Sequence, residues 1–186
     1  MITVTINGVD LTFKTDKSIF SPNCIDKGTL AMLSAAEFLQ DDKLLDLGCG
    51  YGFVGIYAAK LIGESNVIMS DSDINCVNIS AENAKLNNVG GIQTIHSTGF
   101  ENITNNDFSI ILSNPPYHSD FSVPKHFIEK GFNRLKTGGR MYLVTKRKEW
   151  YKKKLTAIFG GVKIYEKDGY FIFCSEKRTT QYANKK

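Results

Sequence analysis

Residues 44–55 read LLDLGCGYGFVG, a short apolar run that breaks into four closely spaced glycines and then resumes as apolar residues. Leu44–Leu47 suits a buried strand, and Phe53–Ile62 carries helical apolar spacing. Gly48, Gly50, Gly52 and Gly55 therefore lie between a strand and the helix that follows it. Glycines there permit a tight turn and let the backbone approach a ligand with no Cβ in the way. A parallel sheet is the natural setting for such a loop.

The alternation continues outward on the C-terminal side. The pattern predicts strands at 66–70, 92–96, 108–112 and 140–145. Helices are predicted over 74–88, from Pro124 to about Lys136, and from Glu149 to Phe159, with Gly138-Gly139 terminating the second. Val162–Glu166 and Tyr170–Ser175 flank Asp168-Gly169 as a closing hairpin. Strands alternating with helices imply βαβ units and a mostly parallel, doubly wound sheet.

On the N-terminal side the period changes to two. Ile2, Val4 and Ile6, then Val9, Leu11 and Phe13, flank Asn7-Gly8, a dipeptide suited to a type I′ turn. That turn pairs Ile6 with Val9, Val4 with Leu11 and Ile2 with Phe13. All six then share one face, which must lie on something apolar. A loop over 15–26 and a helix over about 28–40 complete this part. The expected organisation is one domain over 1–178, with the hairpin and first helix in 1–40 and the sheet core in 41–178. A flexible basic tail, 179–186, would follow.

With 186 residues the chain holds one substantial core. No stretch approaches the ~20 apolar residues of a membrane span, and the start MITVTINGVD has no charged-then-apolar leader. Four scattered cysteines without a C-x-x-C pair argue against a disulfide framework or a metal site and fit a reducing cytoplasm. The net charge of +4 conceals a polarity. Residues 1–124 hold 6 Lys/Arg against 14 Asp/Glu, whereas residues 125–186 hold 17 against 5, a change from −8 to +12. A basic C-terminal third suits a polyanion such as nucleic acid, although lysines also serve simply to solvate helices and edge strands.

Two carboxylates narrow the ligand of the glycine loop. Asp71 follows the second core strand, 21 residues after Gly50, where a carboxylate accepts hydrogen bonds from ribose hydroxyls. Loop and carboxylate together predict an adenosine-containing cofactor. Residues 50–55 satisfy G-x-G-x-x-G, so a nicotinamide-dependent oxidoreductase is a candidate. Asp46 opposes it, because an anion two residues before the first glycine sits badly beside a pyrophosphate. It suits a cofactor bearing an ammonium and a sulfonium; a helix or turn cap is the competing explanation.

The order D-x-G-x-G-x-G resembles the first motif of class I S-adenosylmethionine (SAM) methyltransferases, and the likeness extends further. FSPNCIDKGT (20–29), SDSDINCVNISAENAKLNN (70–88), NPPYH (114–118), LKTGGRMYLV (135–144) and the ending 151–177 resemble landmarks of the methyltransferase small-domain family. That family includes bacterial 16S ribosomal RNA guanine-N2 methyltransferases. The resemblance implies a Rossmann-like, seven-stranded, mostly parallel sheet with an antiparallel C-terminal hairpin, plus the N-terminal hairpin. It implies SAM as cofactor, held by Asp46, Gly48, Cys49, Gly50, Gly52, Asp71, Ser72 and Asn114, with Asp26, Gly28 and Thr29 closing over the methionine end. Many relatives place an acidic residue after the third strand to meet the adenine amine. His96-Ser97-Thr98-Gly99-Phe100 stands here instead, which leaves backbone groups or Phe100 for that task.

In the same reading Asn114, Pro115, Pro116 and Tyr117 form the catalytic element. The acceptor is a planar nitrogen whose lone pair is delocalised and therefore weakly nucleophilic. Asn114 Oδ1 and the Pro115 carbonyl accept its N–H bonds and favour rehybridisation toward the methyl donor. Proline stiffens the segment, and Tyr117 offers a face for stacking. His118, Lys146 and Arg147 are candidate substrate contacts, the last two on phosphates. The expected function is methylation of an exocyclic base amine, guanine N2 of ribosomal RNA first. Protein glutamine N5 and adenine N6 are the alternatives with the same chemistry. An oxidoreductase and a non-catalytic SAM-binding module are the alternatives of other classes.

Overall fold

The computed structural model describes residues 1–15, 25–116 and 120–184. The chain opens as β1 (Ile2–Ile6) and β2 (Val9–Phe13), paired antiparallel in the expected register, with Ile2 opposite Phe13 and Ile6 opposite Val9. Asn7 and Gly8 both adopt positive φ, +49° and +80°, as a type I′ turn demands. Leu11 and Phe13 are buried, Phe13 edge-on to Tyr51 and Phe53. The ribbon thus lays its apolar face over the helix that follows the glycine loop.

Seven strands build the main sheet: β3 (Leu44–Leu47), β4 (Val67–Asp71), β5 (Gln93–His96), β6 (Phe108–Ser113), β7 (Leu135–Thr145), β8 (Lys163–Lys167) and β9 (Tyr170–Glu176). Their order is β5-β4-β3-β6-β7-β9-β8. The first five are parallel and β9 runs antiparallel between β7 and β8. Helices α1 (Lys27–Ala35), α2 (Phe53–Ile62) and α3 (Ile74–Leu86) cover one face together with the hairpin. Helices α4 (Ser122–Arg134) and α5 (Glu149–Phe159) cover the other, so the core forms two apolar layers. None of the described helices is long and apolar enough to cross a membrane.

The chain leaves β3 toward β4 and β5 on one side, and later adds β6 on the other. This reversal opens a crevice beyond the carboxyl ends of β3 and β6, where open α/β sheets take their ligands. The apolar character of β3, β4 and β6 follows from burial on both faces.

Three expectations change. The first helix stops at Ala35 rather than continuing to about Gln40. Asp42 is buried and accepts a hydrogen bond from Leu39 N (2.8 Å), and Phe38 packs edge-on against Tyr57, so residues 36–40 form a pinned loop. Gly138-Gly139 do not end α4. The helix gives way at Leu135, and the two glycines form an irregularity within β7, between its pairings at Leu135 and Arg140. Gly138 N donates to Lys177 O and Lys177 N to Gly139 O, which fastens that irregularity to the end of β9. Residues 179–184 of the expected flexible tail lie back on the body. Ala183 N and Asn184 N donate to the carbonyls of Ile158 and Ala157, and Tyr182 packs on Phe132 while its hydroxyl donates to Glu129 O.

One device was invisible in the sequence. Asn83 on α3 and Asn87 at its C-cap, one turn apart, act as a substitute strand for the edge of β2. Asn87 accepts from Thr12 N (3.0 Å) and donates to Thr12 O (2.7 Å); Asn83 does the same with Lys14 N (2.8 Å) and Lys14 O (3.0 Å). Asn83 also donates to Tyr51 O at 2.9 Å, tying the ribbon to the glycine loop.

Candidate active site

The glycine loop is held from beneath by backbone. Gly48 N and Cys49 N both donate to Ser70 O at 2.9 Å, and Gly50 N donates to Asp71 Oδ2 at 2.9 Å. Gly48, Gly50 and Gly52 all have positive φ, a conformation L side chains rarely adopt. A Cβ added at Gly50 would meet nothing within 4 Å, so this part of the loop faces open space. That space is a cavity of about 350 Å³ over the carboxyl ends of β3, β4 and β6. Its volume falls in the ordinary range for a small-molecule site.

Asp46 sits at the bottom of the cavity, 3% exposed, and its Oδ2 accepts a 2.8 Å hydrogen bond from Gly55 N in the first turn of α2. The cap reading is therefore part of its role. Burial pushes its carboxyl up to about 7, against the lowering effect of the Gly55 bond, and nearby Asp71 pushes the same way. A cation placed beside Asp46 would favour its charged form, which makes this buried, perturbed acid a candidate binding group. Asp71 stands at the rim, accepting from Gly50 N and, at 3.0 Å, from Asp73 N, with lone pairs left on both oxygens. Cys49 and Cys76 line the cavity as neutral thiols, because burial pushes both up, Cys76 to about 12.

At the end of β6, Asn114 is held by both of its N–H bonds. Its Nδ2 donates to Asp26 Oδ1 (2.8 Å) and to Thr29 Oγ1 (3.0 Å), both from the start of α1. Its Oδ1 is buried and has no hydrogen-bond partner among the described residues. A carboxylate only accepts, so the amide's NH₂ end must face Asp26 and the acceptor end must face away. Asn114 thus lines the cavity with its amide oriented and its acceptor end unsatisfied among the described residues.

Most of the sequence-predicted residues meet here. Asp26, Thr29, Asp46, Gly48, Cys49, Gly50, Asp71, Ser72, Asn114, Pro115 and Pro116 all line the cavity. Gly52 does not; it caps α2 from behind, where a Cβ would come within 3.0 Å of Ser80 Cβ. Gly28 also stands back, leaving room for the Tyr170 ring, which a Cβ would meet at 2.7 Å. Phe100 does not line the cavity. It is 4% exposed in the core beneath α4, and the α4 residues Val123 and Phe127 supply the apolar wall instead. Only the fold brings α4 over the crevice, and nothing in the sequence reading singled out Val123 or Phe127. Tyr51, Phe53 and Val54 line the cavity too, and their place in the glycine loop was the available signal. Tyr117 and His118 lie outside the described residues.

Lys146 and Arg147 do not line the cavity. They follow β7 on the same edge of the sheet, exposed, with Lys148 beside them. Each cation lies over an aromatic ring: Lys146 over Tyr170 (4.9 Å), Arg147 over Phe121 (5.0 Å) and Lys148 over Phe171 (5.1 Å). Phe121 in turn stacks on Trp150 with 4.3 Å between ring centroids.

Comparison with known proteins agrees with this geometry. A Bacillus subtilis (strain 168) protein, uncharacterized protein YbxB, is 30% identical over 174 residues, covering 90% of this chain and 87% of that one. Ribosomal RNA small subunit methyltransferase C of Pseudoalteromonas atlantica is 29% identical over 175 residues, covering 90% of this chain and 50% of that one. Among solved structures, the T. Thermophilus 16S rRNA N2 G1207 methyltransferase (RsmC), in complex with AdoMet and guanosine, superposes with a TM-score of 0.86 at 28% identity. The superposition covers 95% of this chain and 50% of that one, so the chain spans about half the length of these ribosomal RNA methyltransferases. The family model described as the methyltransferase small domain matches residues 10–174, nearly the whole sheet and both of its motif-bearing loops. The chain therefore belongs to the methyltransferase small domain family.

Proposed function

We propose that this protein is a SAM-dependent N-methyltransferase acting on an exocyclic base amine, guanine N2 of ribosomal RNA. The observation that carries the reading is Asn114. A buried amide oxygen without a partner is costly, by ~1–3 kcal/mol. A planar N–H₂ entering the cavity relieves that cost and is held in the plane of the amide.

The residues present fit the cofactor. The open glycine backbone suits an adenosine, the lone pairs left on Asp71 suit ribose hydroxyls, and the buried Asp46 suits an ammonium. When bound, SAM supplies an electrophilic methyl on a sulfonium. The chain's own task is to position and polarise. Asn114 Oδ1 and the Pro115 carbonyl accept the acceptor's N–H bonds, and the fixed φ of the two prolines keeps those acceptors stiff. Val123 and Phe127 keep water from one side of the site. No strong base is needed, because the methylated nitrogen is acidic and releases its proton readily. The gain in rate comes from orientation and electrostatics. We read residues 1–178 as one catalytic domain.

Nucleic acid is favoured over a protein acceptor by the edge beside the cavity. Lys146, Arg147 and Lys148 rest on aromatic faces there, and cations interleaved with rings suit phosphates and unstacked bases. The similarity to ribosomal RNA small subunit methyltransferase C and to the guanosine-bound RsmC structure supports guanine in ribosomal RNA. The test is incubation with methyl-labelled SAM and, separately, unmodified ribosomal RNA, small subunits, DNA and a release factor, followed by identification of the modified atom. Label on guanine N2 is expected. Label on a glutamine amide or on adenine N6 replaces the reading, and binding of NAD without SAM ends it.

A further inference from the structure

Asp26 and Thr29 were expected to close over the cofactor, yet their side chains reach Asn114. Asp26 precedes α1, accepts from Thr29 N at 2.8 Å as its N-cap, and receives Asn114 Nδ2 on the same Oδ1 at 2.8 Å. Thr29 Oγ1 takes the second N–H of the same amide at 3.0 Å and turns its own hydroxyl toward Asp26 (3.3 Å). An isolated asparagine amide turns by half a revolution with little preference. Here the turned state would put Oδ1 against a carboxylate, oxygen on oxygen. The same contact polarises the amide, because a charged acceptor on the N–H end draws electron density toward Oδ1. Gly28 keeps the arrangement open, since a Cβ there would come within 2.9 Å of Asp26 Oδ1 and 2.7 Å of the Tyr170 ring.

We propose that Asp26, with Thr29, is the positioning residue of the reaction: it fixes which end of the Asn114 amide faces the acceptor and strengthens that end as a hydrogen-bond acceptor. The inference rests on the reading of Asn114 given above. It places a determinant of catalysis at the N-cap of α1, 88 residues from Asn114 in sequence. Capping α1 alone would not require it. Serine caps a helix about as well as aspartate but is too short to reach Asn114.

That difference supplies the test. Asp26→Ser should keep the melting temperature and the SAM affinity measured by calorimetry close to wild type. Transfer should fall about 100-fold in kcat, as expected for a misplaced contact at the reacting atom, with little change in KM. The Asn114 side-chain amide resonances, identified by their loss in Asn114→Asp, should shift and exchange faster with solvent in Asp26→Ser. Asn114→Asp alone sets two carboxylates face to face and should be inactive. Adding Asp26→Asn restores a donor–acceptor pair across the same gap and should recover transfer. Wild-type kcat in Asp26→Ser, an unmoved amide signal, or a fall in kcat matched by equal losses of stability and cofactor affinity would each overturn the proposal. If wild-type protein methylates none of the acceptors, the functional reading fails instead, and the amide resonances alone decide whether Asp26 orients Asn114.

Discussion

Asp46 gives the sharpest physical prediction. Its carboxyl has an ordinary value of 3.8 and is raised by burial to about 7 in the folded chain. Between those values the folded chain holds a proton that the unfolded chain has released, so stability falls as pH rises across the window. At about 1.4 kcal/mol for each pH unit, the full effect is ~4 kcal/mol, lost by the time pH passes 7. Asp46→Asn keeps an oxygen for the Gly55 N–H and removes the charge. Urea unfolding of both proteins from pH 5 to pH 8 singles out Asp46, because titrating groups not coupled to it cancel in the difference. The variant's advantage should grow by roughly 2–3 kcal/mol between pH 5 and pH 7 and then level off. Cofactor affinity should do the reverse. An ammonium beside Asp46 favours the carboxylate, so wild-type SAM binding should tighten as pH rises toward 7, below the ~8 at which the amine itself loses its proton. The variant should bind weakly and show far less dependence on pH. Parallel stability curves would refute the assignment of a raised carboxyl at Asp46, and pH-independent wild-type binding would refute its contact with the ammonium.

Asn114→Ala should lower kcat at least 100-fold while calorimetric SAM affinity stays near wild type, because the lost oxygen meets the acceptor rather than the cofactor. Gly55→Ala should cost ~1–3 kcal/mol in urea unfolding. Its Cβ would press on Met69 Cγ, lie 2.7 Å from Met69 Sδ, and stand 3.2 Å from Asp46 Oδ2, in a core where Met69 is fully buried. Replacing Arg147 and Lys148 with glutamine should weaken RNA binding and reduce the slope of log affinity against log salt by about 1 for each phosphate contact removed, measured by titration at several salt concentrations. An unchanged slope would show that these cations only shield their aromatic neighbours.

Much of the site was legible because its parts are local. Gly48, Gly50 and Gly52 need positive φ at fixed spacing after a strand, and Asp71 follows the next strand at a fixed interval, so sequence position alone implied their place. The hairpin was legible in full, register included, because Asn7-Gly8 admits one turn type and the turn sets the pairing. Helix ends were less legible. Nothing local distinguishes Ala35 as the last residue of α1; the chain turns extended at Ala36, and Asp42 holds Leu39 N in the loop that follows. Gly138-Gly139 looked like a helix terminator because glycine serves both there and in a strand irregularity, and only the partner strand separates the two uses.

By itself, the sequence determined the alternation that makes a doubly wound sheet, the glycine loop with its two carboxylates, and the presence of Asn114-Pro115-Pro116 at a strand end. These are consequences of backbone conformation and of spacing along the chain, and such constraints are written in neighbouring residues. Tertiary structure alone decided that Asp26 and Thr29 grip Asn114 across 88 and 85 residues, that α4 rather than Phe100 walls the cavity, and that Asn83 and Asn87 finish the edge of β2. Those are pairings of hydrogen-bonding capacity and apolar surface between distant segments. Any asparagine or phenylalanine offers the same capacity, and only the packing of strands and helices selects which partner satisfies it.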